Sequence, residues 1–254
     1  MRIVLITQKE PFYLAENISY LLKKLPKESK IVAAVIANPS PFGNKESFYR
    51  KAIKTLNIFG LKFFIFYSLK YIFNYFRKNK NVETILKKNG VSIIKLEKSI
   101  NHKSSIEKIK SYSPDLLVSL QGNEIFKKPI IELAPKGCIN LHTALLPEYR
   151  GLMPTFWVLK NDEKNTGVSV FFVDEGIDSG PIIVQERVKI INQTHRELII
   201  ETKKIGMKLI LKAIQKINSN DFTLITNDDA KKTYFSFPKK SDVKEFKIKG
   251  KRFF

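Results

Sequence analysis

The chain reads as an α/β fold, a mostly parallel sheet with helices on both faces. Two observations predict this. Short apolar runs recur along the chain, and stretches with apolar residues at helical spacing separate them. That alternation is the pattern of parallel strands joined by crossover helices. A length of 254 residues is enough for a sizeable core in one domain.

The elements follow in order. Residues 2–7 form a first, buried strand. From residue 12 to 24, Phe12, Leu14, Ile18, Leu21 and Leu22 recur at helical spacing. Residues 31–37 predict a second strand, 91–96 a third and 116–120 a fourth, with a helical stretch near 105–111. Residues 129–134 predict a short helix and 138–142 a fifth strand, followed by β-runs at 167–173 and 181–190. Thr194-His195-Arg196-Glu197 has the form of a capping box and starts a long helix to about Ile217. His195 reads as a surface residue of that helix. Residues 218–254 hold Asn/Asp-rich turns, the aromatic run Tyr234-Phe-Ser-Phe237 and a basic end. The organisation is a core over 1–190, with a helical aromatic and basic insertion at about 40–80, then a C-terminal helix and short extension over 191–254.

Composition narrows the class. Cys138 is the one cysteine. It excludes a disulfide scaffold and fits a reducing, cytoplasmic setting. The first apolar run is too short for a secretory signal. No His/Cys cluster has metal-ligand spacing, so no metal is expected. The net charge of +21 leaves three readings open: lysines spread over solvated faces, a polyanionic substrate, or a membrane surface. In the insertion, residues 56–77 are rich in Phe, Tyr, Leu and Ile, with Lys62, Lys70, Arg77, Lys78 and Lys80 interrupting or flanking them. The lysines break any membrane span. Aromatic and basic residues together suit a helix lying in a membrane interface. The expectation is instead a helical hairpin packed on the core or on a second copy of the chain.

The chemistry concentrates in three motifs. Asn140-Leu-His142 is followed by Leu145-Leu-Pro-Glu-Tyr-Arg150-Gly151 and then by Asp174-Glu-Gly-Ile-Asp178-Ser-Gly180. Asn140 and His142 stand two residues apart, so on a strand they share a face. An amide can hydrogen-bond a developing oxyanion, an imidazole can move a proton near neutral pH, and a carboxylate can orient that imidazole or take the proton.

This run resembles the signature of formyltransferases that use 10-formyltetrahydrofolate, over about residues 86–190 and more weakly before that. The resemblance implies a Rossmann-like formyltransferase fold, with Asn140, His142 and Asp178 as catalytic residues. It implies a folate pocket lined mostly by backbone, at Gln121, Gly122, Asn123 and Ile125 and at Asp174, Glu175, Gly176 and Ile177. The first of these loops departs from the more familiar members. It also implies transfer of a formyl group to a primary amine.

Three acceptor classes separate within the family. Phosphoribosylglycinamide formyltransferases carry a glycine-rich phosphate loop after the first strand, whereas Gln8-Lys-Glu-Pro-Phe-Tyr13 has no glycine. Methionyl-tRNA formyltransferases add a C-terminal tRNA-gripping barrel, for which the segment after 190 leaves no room, so no specific nucleic acid is expected. Sugar N-formyltransferases, acting on nucleotide- or lipid-linked amino sugars for surface polysaccharide, are the leading reading. Lys9, Tyr13 and Arg150 are the candidates to hold such a substrate. Arg150 equally suits pinning its own loop. A catalytically dead membrane- or RNA-binding module is the reading of another class, and the intact Asn140, His142 and Asp178 set argues against it. A homodimer and a peripheral membrane contact through residues 56–77 stay open.

Overall fold

The sheet is built from β1 (Arg2–Gln8), β2 (Lys30–Ala37), β3 (Ser92–Ile94), β4 (Leu116–Ser119) and β5 (Cys138–His142), all parallel. A two-residue strand β6 (Arg150–Gly151) follows, then β7 (Asn165–Phe172) and β8 (Ile182–Lys189). The spatial order is β3-β2-β1-β4-β5-β7-β8, with β7 antiparallel to both its neighbours. The computed structural model describes residues 1–38, 46–77, 80–122 and 124–254. Of the insertion, residues 39–45, 78 and 79 lie outside the described residues, Lys78 among them.

The mostly parallel sheet that the sequence predicts is present, and its strands fall where the apolar runs fall. Five consecutive residues of β1 are buried, as expected of a central strand covered on both faces. The chain leaves β1 toward β2 and β3, then returns to the other side of β1 at β4. That reversal opens a crevice beyond the carboxyl ends of β1 and β4. Gln8 and Gln121 meet there, Nε2 to Oε1 at 3.4 Å.

Helices cover the faces in two groups. On one face α1 (Leu14–Lys24) packs Leu14, Ile18 and Leu21 on Ile3 and Leu5. After α2 (Phe48–Phe59) and α3 (Leu61–Tyr75), α4 (Val82–Lys88) adds Ile85 and Leu86 to that layer. On the other face α5 (Lys103–Lys110) and α6 (Lys128–Ile131) bury Ile109 and Ile130 against Val4 and Ile6. The long α8 (His195–Ser219) returns to the first face with Leu209, Ile210 and Ile214. Its capping box forms: Thr194 Oγ1 accepts from Glu197 N at 3.2 Å, and Glu197 Oε2 accepts from Thr194 N at 2.8 Å.

A third cluster is aromatic and unites distant parts of the chain. α7 (Pro154–Lys160) and α9 (Lys240–Ile248), neither expected from periodicity, bring Phe156, Trp157 and Phe246 to Phe59 and Phe253. Phe246 is fully buried and stacks on Phe253 at 4.6 Å. The two-residue strand β9 (Tyr234–Phe235), cut from the C-terminal aromatic run, pairs in parallel with β6. Short elements of this kind leave no periodicity to read.

His195 departs from its expected surface position. It is 3% exposed, with Nε2 at 3.2 Å from Thr155 Oγ1 and rings of Phe156 and Phe253 beside it. Burial pushes its imidazole down to about 4. The expectation failed because the first turn of α8 is roofed by the chain end: His195 N donates to Arg252 O at 2.8 Å and Arg196 N to Phe253 O at 3.0 Å.

Two outcomes follow from this packing. Phe246→Ala should cost about 3–5 kcal/mol, the usual result of emptying an aromatic core site. Urea unfolding reads this, and a loss under about 1 kcal/mol would show that α9 is peripheral. His195 is neutral when folded and protonates readily when unfolded, so the unfolded chain binds more protons as pH falls below its ordinary value. Stability from this group is therefore present above about pH 6.5 and is lost as pH falls toward 4, by about 2 kcal/mol at pH 5. Melting curves of wild type against His195→Phe should show a flatter acid slope in the variant. Equal slopes would remove His195 from the acid response.

Candidate active site

Asn140 and His142 project from one face of β5 at its carboxyl end, as their spacing requires. Ser119 of β4 is paired with Asn140, which sets the loop after β4 beside it. Among the described residues the Asn140 amide makes no hydrogen bond. His142 is 6% exposed. Its Nε2 lies 2.7 Å from the Tyr149 carbonyl. A carbonyl only accepts, so Nε2 carries a proton. The other ring nitrogen, Nδ1, lies 3.5 Å from Asp178 Oδ2. That is longer than a formed hydrogen bond. A proton gained or lost by this ring is handled at Nδ1, in front of the carboxylate.

Asp178 is held by backbone. Its Oδ2 accepts from Gly151 N at 2.9 Å. Its φ is +50°, a left-handed conformation that costs a non-glycine residue on the order of 1 kcal/mol. Asn227 holds the strained turn, donating from Nδ2 to the carbonyls of Asp178 and Gly180, both at 2.9 Å. Asn227 Oδ1 in turn accepts from Arg150 Nη2 at 2.9 Å, and Arg150 Nη1 donates to Asp229 at 2.7 Å.

The loop that carries the Tyr149 carbonyl is anchored at several points. Tyr149 N donates to Thr233 Oγ1 at 2.7 Å, and its hydroxyl donates to Glu163 at 2.6 Å. Burial and the Glu163 carboxylate push the phenol up, so it stays a donor. Its ring stacks on Phe235 at 5.1 Å. Arg150 N and Leu152 N donate to the carbonyls of Thr233 and Phe235. Gly151 has φ +96°, and a Cβ there would stand 2.3 Å from the Phe235 carbonyl oxygen. Only glycine fits this crossing. Upstream, Ser169 Oγ donates to Ala144 O at 2.7 Å and accepts from Leu146 N and Gln185 Nε2.

The remaining candidates are placed as follows. Glu175, Gly176 and Ile177 are exposed beside Asp178. Asp174 Oδ1 accepts from Gly176 N at 3.1 Å and from Ser179 Oγ at 2.6 Å, which shapes the loop. Gln121 and Gly122 follow β4, and Asn123 lies outside the described residues. Ile125 is exposed, and its carbonyl accepts from Asn101 at 2.8 Å. Lys9 is exposed at the end of β1. Tyr13 is half-buried in a groove against α3, its hydroxyl 3.3 Å from that of Tyr67. Arg150 is 4% exposed and committed to Asp229 and Asn227, so its guanidinium is not presented to a ligand. Among the described residues no three His, Cys, Asp or Glu side chains converge as metal ligands.

Sequence reasoning missed Tyr149, Ser169, Gln185, Asn227 and Thr233. The first lies inside a motif already singled out. The others act through contacts between distant segments and carry no local signal. A further missed residue is Glu10. Its carboxylate accepts from the backbone N–H groups of Phe12, Tyr13 and Leu14 at 2.8, 2.9 and 2.8 Å. It thereby fills the N-terminus of α1, where an anion would otherwise bind.

The fold is thus a mostly parallel α/β sheet with Asn140, His142 and Asp178 gathered at its carboxyl edge. The family model "Formyl transferase" matches residues 69–214, and the chain belongs to that family. Among similar curated proteins is a methionyl-tRNA formyltransferase of Kosmotoga olearia, 34% identical over 60% of this chain and 49% of its own length. The chain thus spans about half the length of the curated relatives it matches. Two solved structures share the fold. An N-formyltransferase from Helicobacter canadensis, in complex with folinic acid and dTDP-3-aminofucose, aligns with TM-score 0.57 at 22% identity, over 93% of this chain and 71% of that one. A phosphoribosylglycinamide formyltransferase from Anaplasma phagocytophilum aligns with TM-score 0.63 at 15% identity, over 94% and 99%.

Asn227→Ala removes the two bonds that hold the Asp178 turn and leaves Arg150 short of a partner. It should cost about 1–3 kcal/mol and lower the hydrogen-exchange protection of the Gly151 amide. A variant with unchanged stability and unchanged Gly151 protection would make Asn227 a bystander.

Proposed function

We propose that this protein transfers a formyl group from 10-formyltetrahydrofolate to the primary amine of an amino sugar carried on a nucleotide or a lipid, for surface polysaccharide, in the cytoplasm. The observation that carries the reading is that His142 Nδ1 faces Asp178 at 3.5 Å while Asn140, on the same strand face as His142, has no hydrogen-bond partner among the described residues. The folate would supply a formyl carbon and a nitrogen leaving group. The exposed backbone of 175–177 and the Gln121–Gly122 turn offer hydrogen-bonding edges suited to a flat heteroaromatic ring, with Ile177 as apolar cover. No metal enters this reading.

Each residue then has a role. The Asn140 amide donates to the oxygen of the formyl carbonyl as negative charge develops there. His142, oriented by Tyr149, donates or accepts a proton at Nδ1. Asp178 stabilises the charged ring and takes up the proton that the attacking amine must lose, directly or by relay. Residues 1–190 supply these groups. Residues 191–254 supply α8 and the segment that braces the two loops, so the division is one of role within a single working unit.

Two observations favour the sugar acceptor. Glu10 fills the helix end that would hold the phosphate of a ribotide. Sugar N-formyltransferases are among the proteins that share its fold across most of its length. Lys9 and Tyr13 are the proposed contacts to the carrier. Arg150 is proposed as a brace for the loops.

The test is direct. The protein is incubated with the folate donor and a panel of nucleotide-linked 3-amino and 4-amino sugars, and products are read by mass spectrometry. Asn140→Ala, His142→Asn and Asp178→Asn should each lower turnover by about two orders of magnitude or more. They should remain folded, since these groups sit at a strand end and in a loop. Efficient formylation of charged initiator tRNA, with none of the sugars modified, would overturn the acceptor assignment. Near-wild-type turnover in any one variant would overturn the role given to that residue.

A further inference from the structure

Helix α3 is apolar on two sides, and one of them is uncovered. Phe63 and Phe66 face inward, stacking on Phe59 at 4.3 Å and on Phe254 at 4.1 Å. Asn74 ties the end of the helix to the loop after β1, donating to Pro11 O at 2.9 Å. To this extent the expected hairpin packs on the core. The other side carries Leu61, Ile65, Leu69, Ile72 and Phe76. Their steps of four, four, three and four residues make one stripe. Their exposure runs from 48% at Ile65 to 78% at Phe76. More than half of the exposed large apolar side chains among the described residues fall between Phe48 and Phe76. That is a patch, and patches mark contact surfaces.

The charge around the stripe is predominantly positive. Residues 47–77 contain six Lys and Arg and no Asp or Glu, and Glu46 just before them is paired with Lys54. Beside the stripe a groove of about 1100 Å³ opens between α1, α3 and the start of α8. Aromatic rings of Phe12, Tyr13 and Phe66 line it, with Lys70, Arg196 and Lys204. Lys70 Nζ lies 4.3 Å from the centre of the Tyr13 ring. Arg196 Nε is buried and has no hydrogen-bond partner among the described residues. Glu16, the carboxylate in this lining, is paired with Lys80.

These features select among occupants. No helix among the described residues is long and apolar enough to cross a membrane. A second copy would set one predominantly basic face against another, its carboxylates Glu16 and Glu46 already paired with Lys80 and Lys54, and like charges repel. A nucleic acid could stack bases on exposed rings such as Phe73, Tyr75 and Phe76, but it would leave the aliphatic run Leu61, Ile65, Leu69 and Ile72 without an apolar partner. An anionic lipid surface satisfies both halves of the pattern. We propose that the α2–α3 hairpin docks on an anionic membrane, with the stripe from Leu61 to Phe76 entering the headgroup boundary and the cations of the groove meeting lipid phosphates.

Vesicle sedimentation tests this without reference to catalysis. The protein is spun with vesicles of phosphatidylcholine alone, or of phosphatidylcholine with phosphatidylglycerol, at low and high salt. It should sediment with the anionic vesicles, more weakly in high salt, and little with phosphatidylcholine alone. Lys62→Glu combined with Arg77→Glu should lower the partition by about twentyfold or more, since each interfacial cation contributes about fivefold. Leu61→Ser combined with Leu69→Ser and Ile72→Ser should lower it by about tenfold or more. All five positions are exposed, and an unchanged melting temperature confirms that each variant is folded. Absence of wild-type binding to anionic vesicles, or binding that both variants retain, overturns the proposal. So does a concentration-dependent dimer, split by the same substitutions, in a protein that ignores the vesicles.

Discussion

One hydrogen bond holds the proposed site together, from the Gly151 amide to the Asp178 carboxylate at 2.9 Å. It joins two loops that the chain builds 27 residues apart. On one side of it stands the loop whose Tyr149 carbonyl fixes the imidazole of His142. On the other stands the turn that carries Asp178 itself. If the bond were lost, the ring and the carboxylate would be free to drift separately, and misplacement by about 1 Å is enough to cost a large part of catalysis. The left-handed turn at Asp178 is tolerable because Asn227 grips two of its carbonyls. Strain at a working residue is thus balanced by a polar bridge that does no chemistry.

A second constraint shapes the crevice. The N-terminus of α1 points toward the crevice beyond β1, and it is an obvious seat for an anion. Glu10 occupies it, with three backbone donors on one carboxylate. Any phosphate on an acceptor must then be met by side chains. Besides Lys9, two cations near this region, Lys70 and Arg196, stand over aromatic rings in the adjoining groove. Burial pulls Lys70 down to about 8, so its charge is retained near neutral pH and is sensitive to what enters the groove.

The strands of the sheet were readable because each is a continuous apolar run, and burial on both faces demands such a run. The long α8 was readable from its capping box and periodicity together. Asn140, His142 and Asp178 were readable as a set through the resemblance of their three motifs to the formyltransferase signature, and the structure places them on one edge. Arg150 was ambiguous in sequence between a ligand and a pin, and its contacts with Asp229 and Asn227 make it a pin. The short elements β6, β9, α7 and α9 escaped because two to nine residues carry too little pattern. His195 was misjudged because its cover comes from Arg252 and Phe253, more than fifty positions later. Asn227 and Thr233 were invisible for the same reason: their roles exist only once the chain has closed on itself.

The parallel pairing of β6 with β9 has a consequence for how this chain can vary. Beside Ser169 and Gln185 of the main sheet, the residues that brace the loops of the proposed site come from a distant stretch, 227–235. That stretch cannot be exchanged as a module. A graft of another family member's tail would have to bring an amide at the place of Asn227, a carboxylate at Asp229, a hydroxyl at Thr233 and an aromatic ring at Phe235, all in register with Tyr149–Gly151. Substitutions at 149–151 and at 227–235 are therefore bound to occur in concert. Recombination that cuts between α8 and β9 would yield a folded sheet with a slack edge.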